Sequence, residues 1–267
     1  MMRSFTDQLH RQIQVPFPPK RIVSLVPSQT ELLFDIGLEE EVVGITKFCV
    51  HPESMFRTKP RIGGTKKVHF DRIRALQPDL IIANKEENDK EQIEQLIREY
   101  PVWISDIYTL SDALRMIRSL GSLCNREEKA LLLIENIQEE FDTLSDTSWP
   151  IRSAAYFIWR KPWMAAGSQT FIHEMLQRAG FSNAFGHLER YPEISAKQLT
   201  EARPEVILLS SEPYPFKQQH LDEFRAICPD SMIQLADGEL FSWYGSRLLQ
   251  TAVYFRNLRQ LIEANFR

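Results

Sequence analysis

Trp159, Arg160 and Trp163 crowd into WRKPWMAAGSQ (159–169), and Trp243, Tyr244 and Arg247 into FSWYGSR (241–247). Each group surrounds a proline or a glycine, and RYPE (190–193) sets Tyr191 beside another proline. Tryptophan and tyrosine offer wide, rigid faces at low entropy cost with one polar tip each. Loops of this make-up suit the stacking of a flat, bulky ligand. Two further loops are more polar: KFCVHP (47–52) presents Phe48 and His51, and GGTKKVHF (63–70) presents Thr65, Lys66 and His69 behind a glycine pair. An imidazole from His51 or His69 can complete the coordination of a metal held in a chelate. Binding of a bare metal is the weaker reading. His173 falls in a helical pattern, and His187 and His220 are expected to face solvent, so the second half offers no matching ligand set. Catalysis finds little support, because G-x-S-x-G, the Walker loop, G-x-G-x-x-G and H-E-x-x-H are all missing. The serines of GSQTF and YGSRL bring no obvious base with them. The expectation is a binding protein rather than an enzyme.

Open α/β sheets hold their ligands on loops beyond the strand ends, and the rest of the sequence supplies such sheets. RIVSLV (21–26), EVVGIT (41–46), DLIIA (79–83) and PVWIS (101–105) read as buried strands. They alternate with helical stretches at 28–37, 70–77, 88–100 and 110–124, the pitch of βα units on a mostly parallel sheet. Ser28 and Glu31 have capping-box spacing, as do Ser195 and Gln198 further on. The scheme restarts with strands SAAYFIW (153–159) and EVILLS (205–210) and helices at 170–180 and 195–202. One phrase occurs in both halves: a helix, a proline, an acid and a strand, as ALQPDLIIAN (75–84) and again as TEARPEVILLS (200–210). Between the halves, residues 126–146 place Ala130, Ile134, Ile137, Phe141 and Leu144 at spacings of four and three, opposite Glu135, Gln138, Glu139 and Asp142. A helix of that length spans about 30 Å and predicts a stiff strut that keeps the halves nearly fixed. The predicted fold is α/β, with an N-terminal lobe over 1–124, a backbone helix over 125–147 and a C-terminal lobe over 148–267.

The net charge of −4 argues against nucleic-acid binding. Cys49, Cys124 and Cys228 are odd in number and far apart, which excludes a disulfide framework and suits a reducing compartment. Apolar runs are strand-sized, so membrane insertion is not expected. Residues 1–21 carry neither an apolar h-region nor a lipobox cysteine. The sequence as written therefore predicts a cytoplasmic protein, or a periplasmic one if a signal has been removed.

The ordered series of strand, PSQTEL, helix, VVGIT, KPRIGGTKKVHFDRIRALQPDLIIA, a long helix and a second lobe resembles the helical-backbone metal-chelate receptors. These are the substrate-binding proteins of ABC importers for cobalamin, iron–siderophores and haem. The resemblance runs from about residue 20 to the end and is greatest to the cobalamin-binding branch. It implies two Rossmann-like lobes joined by one backbone helix, a shallow cleft between them, and no chemistry on the ligand. It further implies a monomer with no intrinsic cofactor, whose ligand is a cobalt corrinoid or an iron chelate. By position, Phe48 falls where that branch has a cleft tyrosine, Trp163 near a cleft phenylalanine and Tyr191 on a cleft tryptophan. Thr65 and Asn84 stand where it has tryptophans, so siderophore–iron and haem stay open as ligands. The resemblance also implies docking on an ABC permease through one acidic residue per lobe. Asp71 takes that position in the first lobe. Lys197 occupies it in the second, with Glu193 or Glu201 about one helical turn away as substitutes. A binding or sensor module with no permease is the alternative of a different class.

Overall fold

The computed structural model describes residues 1–145 and 149–266. The chain opens with an antiparallel hairpin of β1 (Met2–Thr6) and β2 (Gln12–Pro16), in which Ile13 and Val15 face inward and the intervening glutamines outward. Then follow β3 (Ile22–Ser24), α1 (Pro27–Asp35), β4 (Val42–Ile45), α2 (Glu53–Thr58) and α3 (Phe70–Leu76). After these come β5 (Leu80–Asn84), α4 (Lys90–Ile97), β6 (Val102–Ser105) and α5 (Leu110–Leu123). β3 to β6 form one parallel sheet in the order β4–β3–β5–β6. Its strands are buried on both faces, which explains their unbroken apolar runs.

The remaining elements are α6 (Glu127–Ser145), β7 (Arg152–Trp159), β8 (Met164–Ala165), α7 (Phe171–Arg178), β9 (Phe181–Asn183) and α8 (Ala196–Ala202). They continue with β10 (Val206–Ser210), α9 (Gln218–Ile227), β11 (Met232–Ala236), α10 (Gly238–Ser242) and α11 (Leu248–Asn265). The second sheet runs β11–β10–β7, with β9 parallel to the first half of β7 and β8 antiparallel to its end. Apart from β8, the order β9–β7–β10–β11 repeats β4–β3–β5–β6. The predicted α/β class with mostly parallel sheets is what the chain adopts.

Two compact units result. The first comprises Met1–Ile107, Ser111–Asn136 and Tyr244–Arg247; the second comprises the described residues of Tyr108–Leu110, Ile137–Trp243 and Leu248–Arg267. The division falls inside α6, whose stripe of Ala130, Ile134, Ile137, Phe141 and Leu144 is buried throughout. The last residues expected for that helix and its boundary, 146 and 147, lie outside the described residues. Among the described residues no helix is long and apolar enough to cross a membrane.

The repeated phrase has one construction in both units. α3 ends on Gln77 and α8 on Arg203, each left-handed with φ 45°. A proline follows, then an acid, then a buried strand. Asp79 accepts the N–H groups of Lys20 (2.7 Å) and Arg21 (2.9 Å), just before β3. Glu205 accepts the N–H of Ser153 in β7 (2.9 Å) and the Arg152 guanidinium (2.8 Å). The acid therefore ties the central strand of each sheet to its neighbour.

The two expected capping boxes part company. Ser195 and Gln198 form theirs. Ser28 and Glu31 do not, because Pro27 occupies the first helical position of α1, its φ being preset for that place, and Ser28 moves one residue inside. Ser28 Oγ is left buried without a partner, and Glu31 pairs with Arg247.

Candidate functional site

In the first unit the loop after β4 carries Phe48, half exposed, with the Lys47 ammonium 4.9 Å from its ring centre. His51 follows, half-buried. The adjoining loop turns at Gly63, whose φ is 121° and where an added Cβ would lie 2.5 Å from the Lys67 carbonyl oxygen. Asn88 and Gln92 pin it: Asn88 Nδ2 donates to Thr65 O (3.0 Å), and Gln92 bonds Lys66 O and Val68 N. Lys66 Nζ donates to the Glu86 carbonyl at 2.6 Å. Thr65 is half-buried, and His69 is exposed at the N-cap of α3 without capping it through its side chain. Asn84 is buried, accepting the Glu86 and Glu87 N–H groups and donating to Ser105. It shapes the loop after β5.

Tyr244–Arg247 belongs to this unit as well. The Tyr244 hydroxyl donates to Glu87 Oε1 (3.2 Å), and Arg247 forms a two-pronged pair with Glu31 at 2.9 and 2.6 Å. Gly245 permits the approach, since a Cβ there would lie 2.9 Å from Ser28 O. Burial pushes the neighbouring Asp35 carboxyl up, against the opposing pull of Ser246 and Arg247.

In the second unit Trp159 ends β7, 39% exposed, with its ring edge-on to Tyr214 at 5.8 Å. Arg160 donates to Glu223 at 2.8 Å and also bonds the Tyr214 hydroxyl. Trp163 turns inward, packing on Phe224 (4.9 Å) and Phe157 (6.4 Å) beside the apolar core. Tyr191 is half-buried with the Arg190 guanidinium 5.6 Å from its ring. Trp243 is 7% exposed, and its indole N–H donates to Glu212 at 2.8 Å. Burial pushes the Glu212 carboxyl up, and Glu239 and Asp237 add to this, while bonds from Ser242 and Trp243 oppose it. Trp243 and Tyr244, adjacent in sequence, are thus held by carboxylates in different units.

His173 lies on α7 and contacts Asn183, and His187 is exposed. His220 departs from expectation: it is 8% exposed, because its ring caps α9 through Nδ1 and packs on Phe216. Among the described residues no group of three His, Cys, Asp or Glu side chains is placed to hold a metal.

Asp71, 98% exposed, stands second in α3 and pairs with Arg74 at 3.2 Å. Lys197 is second in α8 and pairs with Glu201 at 3.8 Å. Glu193 is exposed beside Met164. Sequence reasoning read Glu31 as a helix cap rather than as the partner of Arg247, and it did not single out Glu87, Asn88, Arg190, Glu212 or Tyr214. Each acts through a loop whose spacing says nothing of its fold.

The family model described as periplasmic binding protein matches residues 22–226. The vitamin B12-binding protein of Pectobacterium carotovorum subsp. carotovorum (strain PC1) is 24% identical over 201 residues, covering 73% of this chain and 72% of that protein. The crystal structure of the periplasmic vitamin B12 binding protein BtuF of Vibrio cholerae superposes with a TM-score of 0.79 at 20% identity, covering 93% of this chain and 99% of the other. The apo periplasmic haem-binding protein RhuT from Roseiflexus sp. RS-1 does so at 0.76 and 21%, covering 90% and 99%. The chain belongs to the periplasmic binding protein family.

Proposed function

We propose that this chain is the substrate-binding component of an ABC importer for a metal chelate, and that the chelate is a cobalt corrinoid. It binds its ligand without transforming it. The observation that carries this reading is the exposed aromatic surface at strand ends, Phe48 in one unit and Trp159 with Tyr214 in the other. Large aromatic faces on loops pinned by side-chain hydrogen bonds suit a rigid macrocycle, since little ordering remains to be done on binding. The curated relatives named vitamin B12-binding protein support the corrinoid over other chelates. Arg160, Tyr191, Lys66 and His51 are the polar residues we assign to the ligand's periphery. Asp71 is the residue we assign to permease docking.

Equilibrium dialysis against cyanocobalamin, dicyanocobinamide, haemin and a ferric hydroxamate tests the assignment. Saturable binding of both corrinoids, with haemin and the hydroxamate weaker, is the expected result. Preference for haemin or the hydroxamate would move the ligand to that class, and binding of none would overturn the reading.

A further inference from the structure

We propose that the two loops around Phe48 in the first unit form a subsite for an anionic group, a carboxylate or a phosphate, carried at the edge of a flat ligand. The inference deepens the chelate-binding reading and rests on it for the identity of that ligand.

The loop after β4 and the turn at residues 63–68 are built as one platform. Lys47 N–H donates to Gly63 O at 2.8 Å, and Gly64 N–H donates to Lys67 O at 2.7 Å. A Cβ added at Gly64 would lie 3.2 Å from Phe48 Cε2 and 3.5 Å from Lys47 Cε. The ring and the lysine stem therefore pack against the bare face of a glycine. Asn88, 4% exposed, ties the turn to β3 by donating to both Thr65 O and Leu25 O. The result is a half-exposed ring with the Lys47 ammonium 4.9 Å from its centre, and with Lys66 and Lys67 exposed on the adjoining turn.

Pairing sets these lysines apart. Elsewhere in the unit Lys85 meets Asp106 (2.7 Å), Arg126 meets Glu41 (3.0 Å) and Arg247 meets Glu31 (2.6 Å). Among the described residues Lys47, Lys66 and Lys67 pair with no carboxylate. Lys66 Nζ donates instead to the carbonyls of Glu86 (2.6 Å) and Asn88 (3.4 Å). These fix its place without cancelling its charge, and they leave one of an ammonium's three donors over. Like charges gathered on one platform repel one another. A neutral ligand covering Phe48 would strip water from the Lys47 ammonium and return nothing, which is a net cost. An anionic oxygen replaces that water with a charge-assisted hydrogen bond. In a corrinoid the matching group is the phosphodiester of the nucleotide arm; in a haem it is the propionates.

Dialysis of the full chain compares two pairs of probes. Cyanocobalamin is set against dicyanocobinamide, which lacks the phosphodiester, and haemin against its dimethyl ester, in which the carboxylates are blocked. Cyanocobalamin should bind about tenfold tighter than dicyanocobinamide at low salt, the worth of one hydrogen bond to a charged group. The gap should narrow as salt is raised. A gap confined to the haemin pair supports the same subsite with carboxylate as its anion. Lys47→Gln, Lys66→Gln and Lys67→Gln together should close the gap, and glutamine keeps a donor for the Glu86 carbonyl. Lys20→Gln, Lys59→Gln and Lys90→Gln together remove the same net charge outside these loops and should leave it open. Equal affinities within both pairs overturn the proposal. So does a gap that survives the first triple variant or closes in the second.

Naphthyl phosphate and naphthol, followed by saturation-transfer NMR, separate the subsite from the functional reading. If no chelate binds but naphthyl phosphate does, and the first triple variant loses it, the subsite stands while the metal-chelate reading falls. Binding of neither chelates nor naphthyl phosphate refutes both.

Discussion

Phe70–Asn84 and Ala196–Ser210 are two performances of one phrase. Both have a seven-residue helix, a left-handed cap, a proline, an acid and a five-residue buried strand. They differ in how the acid is used. Asp79 is satisfied by two backbone N–H groups, whereas Glu205 shares Arg152 with Glu263, which also receives Arg259. They differ again at the second helical residue, Asp71 in one and Lys197 in the other. Backbone requirements recur because a parallel sheet needs the same break before each central strand. Side chains beyond that break answer to local neighbours, and there the two copies are free to diverge.

The sharpest way to test this difference is to remove one partner from each acid. Arg152→Ala takes one partner from each of Glu205 and the buried Glu263, which keep the Ser153 N–H and Arg259, and chemical denaturation should show a loss of about 2–3 kcal/mol for the charged hydrogen bonds removed. Asp79→Asn keeps one acceptor for two donors and should cost only about 1 kcal/mol. Equal losses would mean that the extended ion network contributes no more than the plain backbone cap.

A smaller effect separates the carboxylates that hold Trp243 and Tyr244. Glu212 has a raised pKa, so the folded chain holds its proton more tightly than the unfolded chain does. Its contribution is full below the ordinary glutamate value and is lost as pH rises through the raised one. Glu212→Gln, which preserves an acceptor for the indole, should flatten the melting temperature against pH over that interval. An unchanged profile would show that Glu212 ionises as freely as a surface glutamate.

The smallest effect concerns the helix surfaces. Asp71→Ala should weaken association with a cognate permease a few-fold without altering ligand affinity, and Lys197→Glu should strengthen it by a similar factor. Both changes should shrink with added salt, because both residues are well exposed. Binding to permease in nanodiscs at two ionic strengths measures them. No change for either would remove the docking role from this phrase.

Much of the fold was legible because fully buried parallel strands leave apolar runs that proline and glycine punctuate, as at Leu80–Asn84 and Val206–Ser210. The opening hairpin was not, since β1 is exposed along nearly its whole length and only Ile13 and Val15 of β2 face inward. α11 hid for another reason: Arg259 and Glu263 lie on its buried stripe beside Phe255 and Ile262, so a charged pair interrupts the apolar pattern. The loop aromatics could be found from their glycine and proline neighbours. Their orientation could not. Nothing in FSWYGSR tells that Trp243 reaches Glu212 while Tyr244 reaches Glu87, and nothing in KQQH tells that His220 turns inward to cap its own helix.

The left-handed caps at Gln77 and Arg203 bear on how the chain could be improved. Both residues are exposed, so their side chains add little packing, yet each holds a conformation in which a Cβ is unfavourable by about 1 kcal/mol. Glycine fits that geometry without the penalty. Gln77→Gly and Arg203→Gly should each raise the melting temperature by about 2–4 °C, leaving the ligand loops untouched. The fold carries a reserve of thermal stability that selection has not drawn out, and an engineer needing a hardier receptor would begin at these two positions.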